Sequence, residues 1–204
     1  MGPLKRLKSD SHCNIKFSTN PFKCLGIYIG HDKNRCEELN WQGKMTKIEE
    51  LLKAWSKRKL TLFGKAIVIN TLAIPKIIYN CAVLSVPEHI IVKVEKMVSH
   101  FLWYGKNRIN CNCVISSIEN GGLNIVDIRS KIKSLKAGWI IWWTKNAIWS
   151  PIAESYVNKI GGNFKLFLQM NVARVSELPP LSDLPKCYQD IWLSFYECEA
   201  KISN

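Results

Sequence analysis

Seven cations fall between residues 44 and 65 in a pattern that could hold a polyanion: Lys44, Lys47, Lys53, Lys57, Arg58, Lys59 and Lys65, with Glu49 and Glu50 the only acids among them. They are interleaved with Trp41, Met45, Ile48, Leu51, Leu52 and Trp55, which recur three and four positions apart. On a helix, that spacing collects the apolar side chains into one stripe and leaves most of the cations on other faces. Such a surface would neutralise phosphates and position a duplex without reading its bases. The ordinary alternative is a charged face that keeps a helix solvated. Arg58 and Lys65, on either side of the Gly64 turn, are the strongest single candidates for phosphate contact, and Lys106 and Arg108 extend the basic set along the chain.

Other chemistries have weaker support. Cys111 and Cys113 with His100, or Cys24 and Cys36 with His31, contain zinc-ligating residue types but not the paired two-residue spacing of a zinc knuckle, so no metal site is expected. His12, His31, His89 and His100 are scattered, and no Ser-His-Asp or Cys-His set can be read from the order of residues alone. Asp183 followed by Glu199 and Lys201 has the residue types of a metal-dependent nuclease but no strand context, and reads as coincidence. The pairs Gly121-Gly122 and Gly161-Gly162 lack a following Lys-Ser or Lys-Thr, so they are backbone turns rather than phosphate loops. Trp55, Trp103, Trp139, Trp142 and Trp143 could stack on bases, yet their helical spacing favours the core. Asn70, in an apolar helix, reads as a structural amide bonded to a neighbouring carbonyl.

Charge and composition point the same way. Of 204 residues, 47% are hydrophobic and 22% charged, enough apolar surface for a folded core, while a net charge of +13 calls for a polyanionic partner. Nucleic acid is the first candidate and an anionic membrane surface the second. The opening MGPLKRLKSDSHC has no apolar central segment, so the eight cysteines are expected as reduced thiols in an intracellular protein. The apolar run from Ala137 to Trp143 is too short to cross a bilayer.

These residues need elements to position them. Phe22–Ile29 alternates as a strand ending at Gly30, His31 and Asp32. Asn40 is expected to cap a helix that starts at Trp41 and fades by Lys59. A turn at Thr61 or Leu62 leads to a largely buried helix over Gly64–Ala73, which Pro75 ends or kinks before a short continuation through Tyr79. Ser85, Val86, Pro87 and Glu88 start a third helix, whose apolar positions run from Ile90 to Leu102 and which Gly105 terminates. Lys106–Asn112 is a basic connector, and Gly121-Gly122 turns the chain into Leu123–Val126. A helix from Asp127 to about Lys145 buries Ile128, Ile132, Leu135, Trp139, Ile140 and Trp142. Short helices with polar joints follow.

Several of these fragments, in this order, resemble the region after the palm in the reverse transcriptases of LINE-type non-LTR retrotransposons. FKCLGIYIG, through Leu25, Gly26 and Gly30, is similar to the family's primer-support hairpin, although Cys24 stands where an aromatic or small residue is usual. Trp55, Arg58, Leu60, Thr61, Gly64, Lys65, Ile69 and Asn70 resemble the thumb signature, with Tyr79 and Pro87 in keeping. Phe101, Leu102 and Trp103, then Gly121, Gly122, Leu123 and Asp127, and Ala137 with Trp139, extend the likeness past the thumb; it fades after about Lys145.

The resemblance implies a mainly α protein with an N-terminal β-hairpin remnant, a three-helix thumb-like bundle and an irregular helical C-terminal segment. Its expected divisions are a palm-end remnant at 1–34, a thumb-like domain at 35–108 and a post-thumb segment at 109–204. The implied activity of the parent is RNA-directed DNA synthesis, which uses Mg2+ held by palm aspartates. Asp10, Asp32, Asp127, Asp183 and Asp190 are scattered, and no aromatic-x-Asp-Asp loop occurs. The chain is therefore expected to be a C-terminal piece that binds but does not polymerise, with no catalytic residue or cofactor of its own. Its implied partners are an RNA-DNA hybrid or primed template and the missing palm and fingers, with no membrane. It would work in the nucleus when acting on chromosomal DNA. A helical protein-interaction module, or a transposon-derived binder put to another use, is the alternative.

Overall fold

A computed structural model of the chain describes residues 9–10, 15–16, 20–104, 111–144, 148, 150–159 and 184–202. It is mainly α with small antiparallel hairpins near the N-terminus. The chain divides into two compact units, Met1–Glu50 and Leu51–Asn204.

In the first unit, β1 (Ser9–Asp10) pairs with β2 (Ile15–Lys16). The run read as one strand is a hairpin of β3 (Phe22–Cys24) and β4 (Ile27–Ile29), with Cys24 opposite Ile27 and Phe22 opposite Ile29. The reversal needs positive φ at both loop residues, and Leu25 (φ 48°) and Gly26 (φ 84°) provide it. The helix that follows, α1 (Lys33–Ser56), starts well before Trp41. Asp32 caps it by accepting from the Arg35 amide at 3.0 Å, so Asn40 is not the cap. Asn40 is buried inside the helix and clamps β4 instead. Its Oδ1 accepts from the Tyr28 amide at 2.8 Å and its Nδ2 donates to the Tyr28 carbonyl at 2.9 Å. Tyr28 faces Lys23 at a pair whose backbone groups point away from β3, so the clamp satisfies groups the hairpin leaves open. Trp41, Met45 and Ile48 are buried along α1, as their spacing predicts.

In the second unit, Thr61 caps α2 (Leu62–Val68) by accepting from the Gly64 amide at 3.2 Å. The chain then widens into a π-helical turn, Ile69–Ala73, before α3 (Pro75–Val83). The axis bends by 45° at Pro75, the kink expected from a ring that cannot donate a backbone hydrogen bond. α4 (Glu88–Trp103) buries Ile90, Ile91, Val94, Val98, Phe101 and Leu102, and ends on Tyr104 in the left-handed conformation (φ 52°). The expected terminator Gly105 lies outside the described residues, as do Gly161-Gly162 and Asp183.

Cys111–Ile115, which takes in the last two residues of the expected connector, forms a short helix, α5, followed by a 3-10 turn over Ile118–Asn120. The Gly121-Gly122 turn is strictly required. Gly121 has φ +78°, and a Cβ on Gly122 would stand 2.0 Å from the Ser116 carbonyl oxygen. Asp127 then caps α6 (Ile128–Thr144), accepting from the Arg129 amide at 3.1 Å. α7 (Ser150–Lys159) and α8 (Lys186–Ile202) complete the described helices. Ile140, Ala153, Val157, Leu184, Ile191, Trp192 and Tyr196 form a core shared by α6, α7 and α8, with Trp192 stacked on Tyr196 at 5.8 Å between ring centroids. Among the described residues no single helix is long and apolar enough to cross a membrane.

Candidate nucleic-acid interface

A protein surface holds a phosphate backbone with cations that are exposed and not already neutralised by acids. In the first unit Lys47 is exposed and Lys44 half-buried on α1. Leu25 projects from the hairpin tip, 87% exposed. Gly30 follows β4 where a Cβ would come within 3.0 Å of Pro21 Cα and 3.2 Å of Cys36 Sγ, so this glycine serves close packing.

In the second unit Lys53, Lys57, Arg58 and Lys59 are all exposed. Lys53 lies in the last turn of α1, and the other three follow directly as the chain leaves it. None is engaged in an ion pair among the described residues. The Arg58 guanidinium sits over the Trp55 ring, 4.3 Å from its centroid. Stacking holds the plane of that group through its face and leaves its N–H edge open to an anion. Trp55 is half-buried, a platform for Arg58 rather than a fully enclosed core residue.

Lys65, expected on the basic face, is instead enclosed. It is 3% exposed, and its Nζ donates to the Leu102 carbonyl at 2.9 Å. The same ammonium lies 3.8 Å from the Tyr104 ring centroid and 5.6 Å from that of Phe101. Leu102 belongs to the last turn of α4, whose carbonyls lack amide partners within the helix and carry the negative end of its dipole. Lys65 therefore ties α2 to the end of α4, which corrects its assignment to phosphate contact. Lys106 and Arg108 lie outside the described residues.

Asn70 takes the structural role expected of it, with one addition. Its Nδ2 donates to the Asn124 carbonyl at 2.9 Å, and its Oδ1 accepts from the Val126 amide at 3.1 Å. The amide thus fixes the extended segment that follows Gly121-Gly122.

Four features were not foreseen from the sequence. Arg129 binds two acids of α4, its Nε donating to Glu95 at 2.8 Å and a terminal nitrogen to Glu88 at 2.6 Å. The Arg129 hydrogen bond holds the Glu88 carboxyl below the usual carboxylate range. Lys136 is buried at 3% exposure, which pushes its pKa down while Asp190 partly opposes the shift. Ser85 hydrogen-bonds Asp190 on α8. Trp142, expected in the core, is 67% exposed. The charge of Arg129, in the first turn of α6, was the one visible signal; burial of Lys136 had none.

Among the described residues no group of three His, Cys, Asp or Glu side chains gathers where a metal could sit. The second unit thus presents an exposed cationic run on a helical scaffold that Lys65, Asn70 and Arg129 hold together.

No protein-family model matches the chain. It is 27% identical over 189 residues to an uncharacterized 149 kDa protein of transposon TX1 from Xenopus laevis, an alignment that covers 87% of this chain. The chain spans only 14% of that relative's length. At this level the similarity is to a transposon protein, and it supports a transposon-derived origin for the chain.

Proposed function

We propose that the chain is the thumb-side portion of a non-LTR retrotransposon reverse transcriptase and grips the backbone of a template-primer duplex. The observation that carries this reading is the exposed run of Lys53, Lys57, Arg58 and Lys59, without an ion pair among the described residues and with Arg58 held on Trp55. The order of thumb-like motifs and the similarity to a transposon protein support it. In this role the cations displace counterions from the phosphates, and Leu25, Gly26 and Gly30 form the hairpin that supports the primer end. Polymerisation itself would need Mg2+ and the palm aspartates of the longer parent.

Binding to a primed RNA-DNA template in a gel-shift series should weaken steeply as salt rises. Replacing Lys53, Lys57, Arg58 and Lys59 together with Gln should flatten the dependence of log affinity on log salt, by a slope of roughly 0.7 to 0.9 for each phosphate no longer neutralised. A salt-insensitive shift, or a quadruple variant with an unchanged slope, would refute the grip.

A second reading is favoured by one observation: Leu62, Phe63 and Ile67 of α2 are exposed at 38%, 53% and 62%. An apolar helix face of this kind suits a protein-docking module. That reading expects association with a protein partner to survive the quadruple Gln substitution.

A further inference from the structure

A groove of about 300 Å³ lies between α3 and α6 in the Leu51–Asn204 unit, lined by Ala82, Ser134, Leu135, Gly138, Trp139 and Trp142. Its size is at the lower bound for small-ligand sites. One wall is fixed, because the Trp139 indole N–H donates to the Ala82 carbonyl at 2.9 Å. At the other, Trp142 presents a ring that is 67% exposed, the largest side chain so displayed among the described residues. Between them the surface is open: a Cβ added to Gly138 would meet nothing within 4 Å. Among the described residues no acid lines the groove, and exposed Lys131 shares the helix face of Leu135, four positions before it.

We infer that this groove receives an unpaired nucleobase of a single strand, stacked on Trp142, with the strand running on along α6 in the direction of Lys131. An isolated apolar cleft suits many occupants, but a chain with a net charge of +13 concentrates polyanions at its surface. A flat exposed indole over an apolar groove, on a chain of strongly positive charge, is how proteins hold bases without reading them. The inference rests on the nucleic-acid reading above and adds to it a second point of attachment, made to bases rather than to the backbone.

The test is fluorescence anisotropy on the full chain with a short oligothymidylate and an abasic phosphodiester of the same length. The wild type should bind the base-bearing strand about ten-fold more tightly than the abasic one. Trp142→Ala should erase that preference and leave affinity for the abasic strand unchanged, and Trp142→Phe should keep most of it. Gly138→Leu should erase it too, by filling the groove at a position with free space and a helix-favouring substitution. A preference that survives Trp142→Ala and Gly138→Leu, or is absent from the wild type, overturns the inference while leaving the salt-dependent backbone grip intact. Failure to bind either strand overturns both. Self-association in sedimentation that disappears in Trp142→Ala would assign the groove to a second copy of the chain and likewise overturn base stacking.

Discussion

Neighbouring cations in one short stretch do different work. Arg58 lies open on Trp55, whereas Lys65 is enclosed and bonded to the end of α4. Replacing Lys65 with Met removes a charged hydrogen bond and leaves the Leu102 carbonyl without it, which should cost about 1.5 to 3 kcal/mol in urea unfolding. Replacing Arg58 with Gln should change stability by less than about 0.5 kcal/mol and lower affinity for nucleic acid instead. Equal stability losses in the two variants would contradict this division of roles. Gly122 has a sharper requirement, since any side chain there meets the Ser116 backbone. Gly122→Ala should destabilise by about 3 kcal/mol, whereas Gly138→Ala, in a helix interior where space is free, should stabilise by about 0.5 to 1 kcal/mol.

The elements were legible where a pattern is local. The apolar stripe of α1, the kink at Pro75, the start of α4 at Pro87 and the Gly121-Gly122 turn all follow from spacing, ring geometry or φ preference. What escaped the sequence depends on residues far apart in the chain. Asn40 has the residue type of a helix cap, but the nearer Asp32 takes that role, and only the folded hairpin brings the Tyr28 backbone to the Asn40 amide. Lys65 follows the same logic, since its partner is 37 positions away. Of the candidate site, the four exposed cations around Lys57 were readable from charge spacing, and the exposure of Trp142 was not. Asn70 connects the two kinds of element, joining the π-helical turn to the Asn124–Val126 segment. Asn70→Ala should cost about 1 to 3 kcal/mol and accelerate hydrogen exchange at the Val126 amide. Unchanged exchange there would show that the segment is held by other bonds.

At the scale of the molecule, two buried groups give stability an alkaline signature. Burial raises the Cys81 thiol from 9.0 to about 11. The native state thus keeps a proton that the unfolded chain releases, and the thiol's contribution, complete below pH 9.0, is lost as pH rises toward about 11. Lys136 acts in the opposite direction. Its lowered pKa means the native state sheds a proton earlier than the unfolded chain, so stability is gained as pH climbs toward 10.5. Cys81→Ala should therefore remove the loss above pH 9.0 and Lys136→Met the gain below 10.5, each read from the melting temperature across that range. An alkaline profile unaltered by either substitution would place the titration elsewhere. The wide turn over Ile69–Ala73 bears on inheritance as well as shape. Such a turn accommodates one surplus amino acid in an otherwise regular spiral. Excising one codon there would return the coil to ordinary pitch and leave the positions after it facing as before, Ile77 still buried, so this is the stretch where the reading frame can lose a residue and keep the fold.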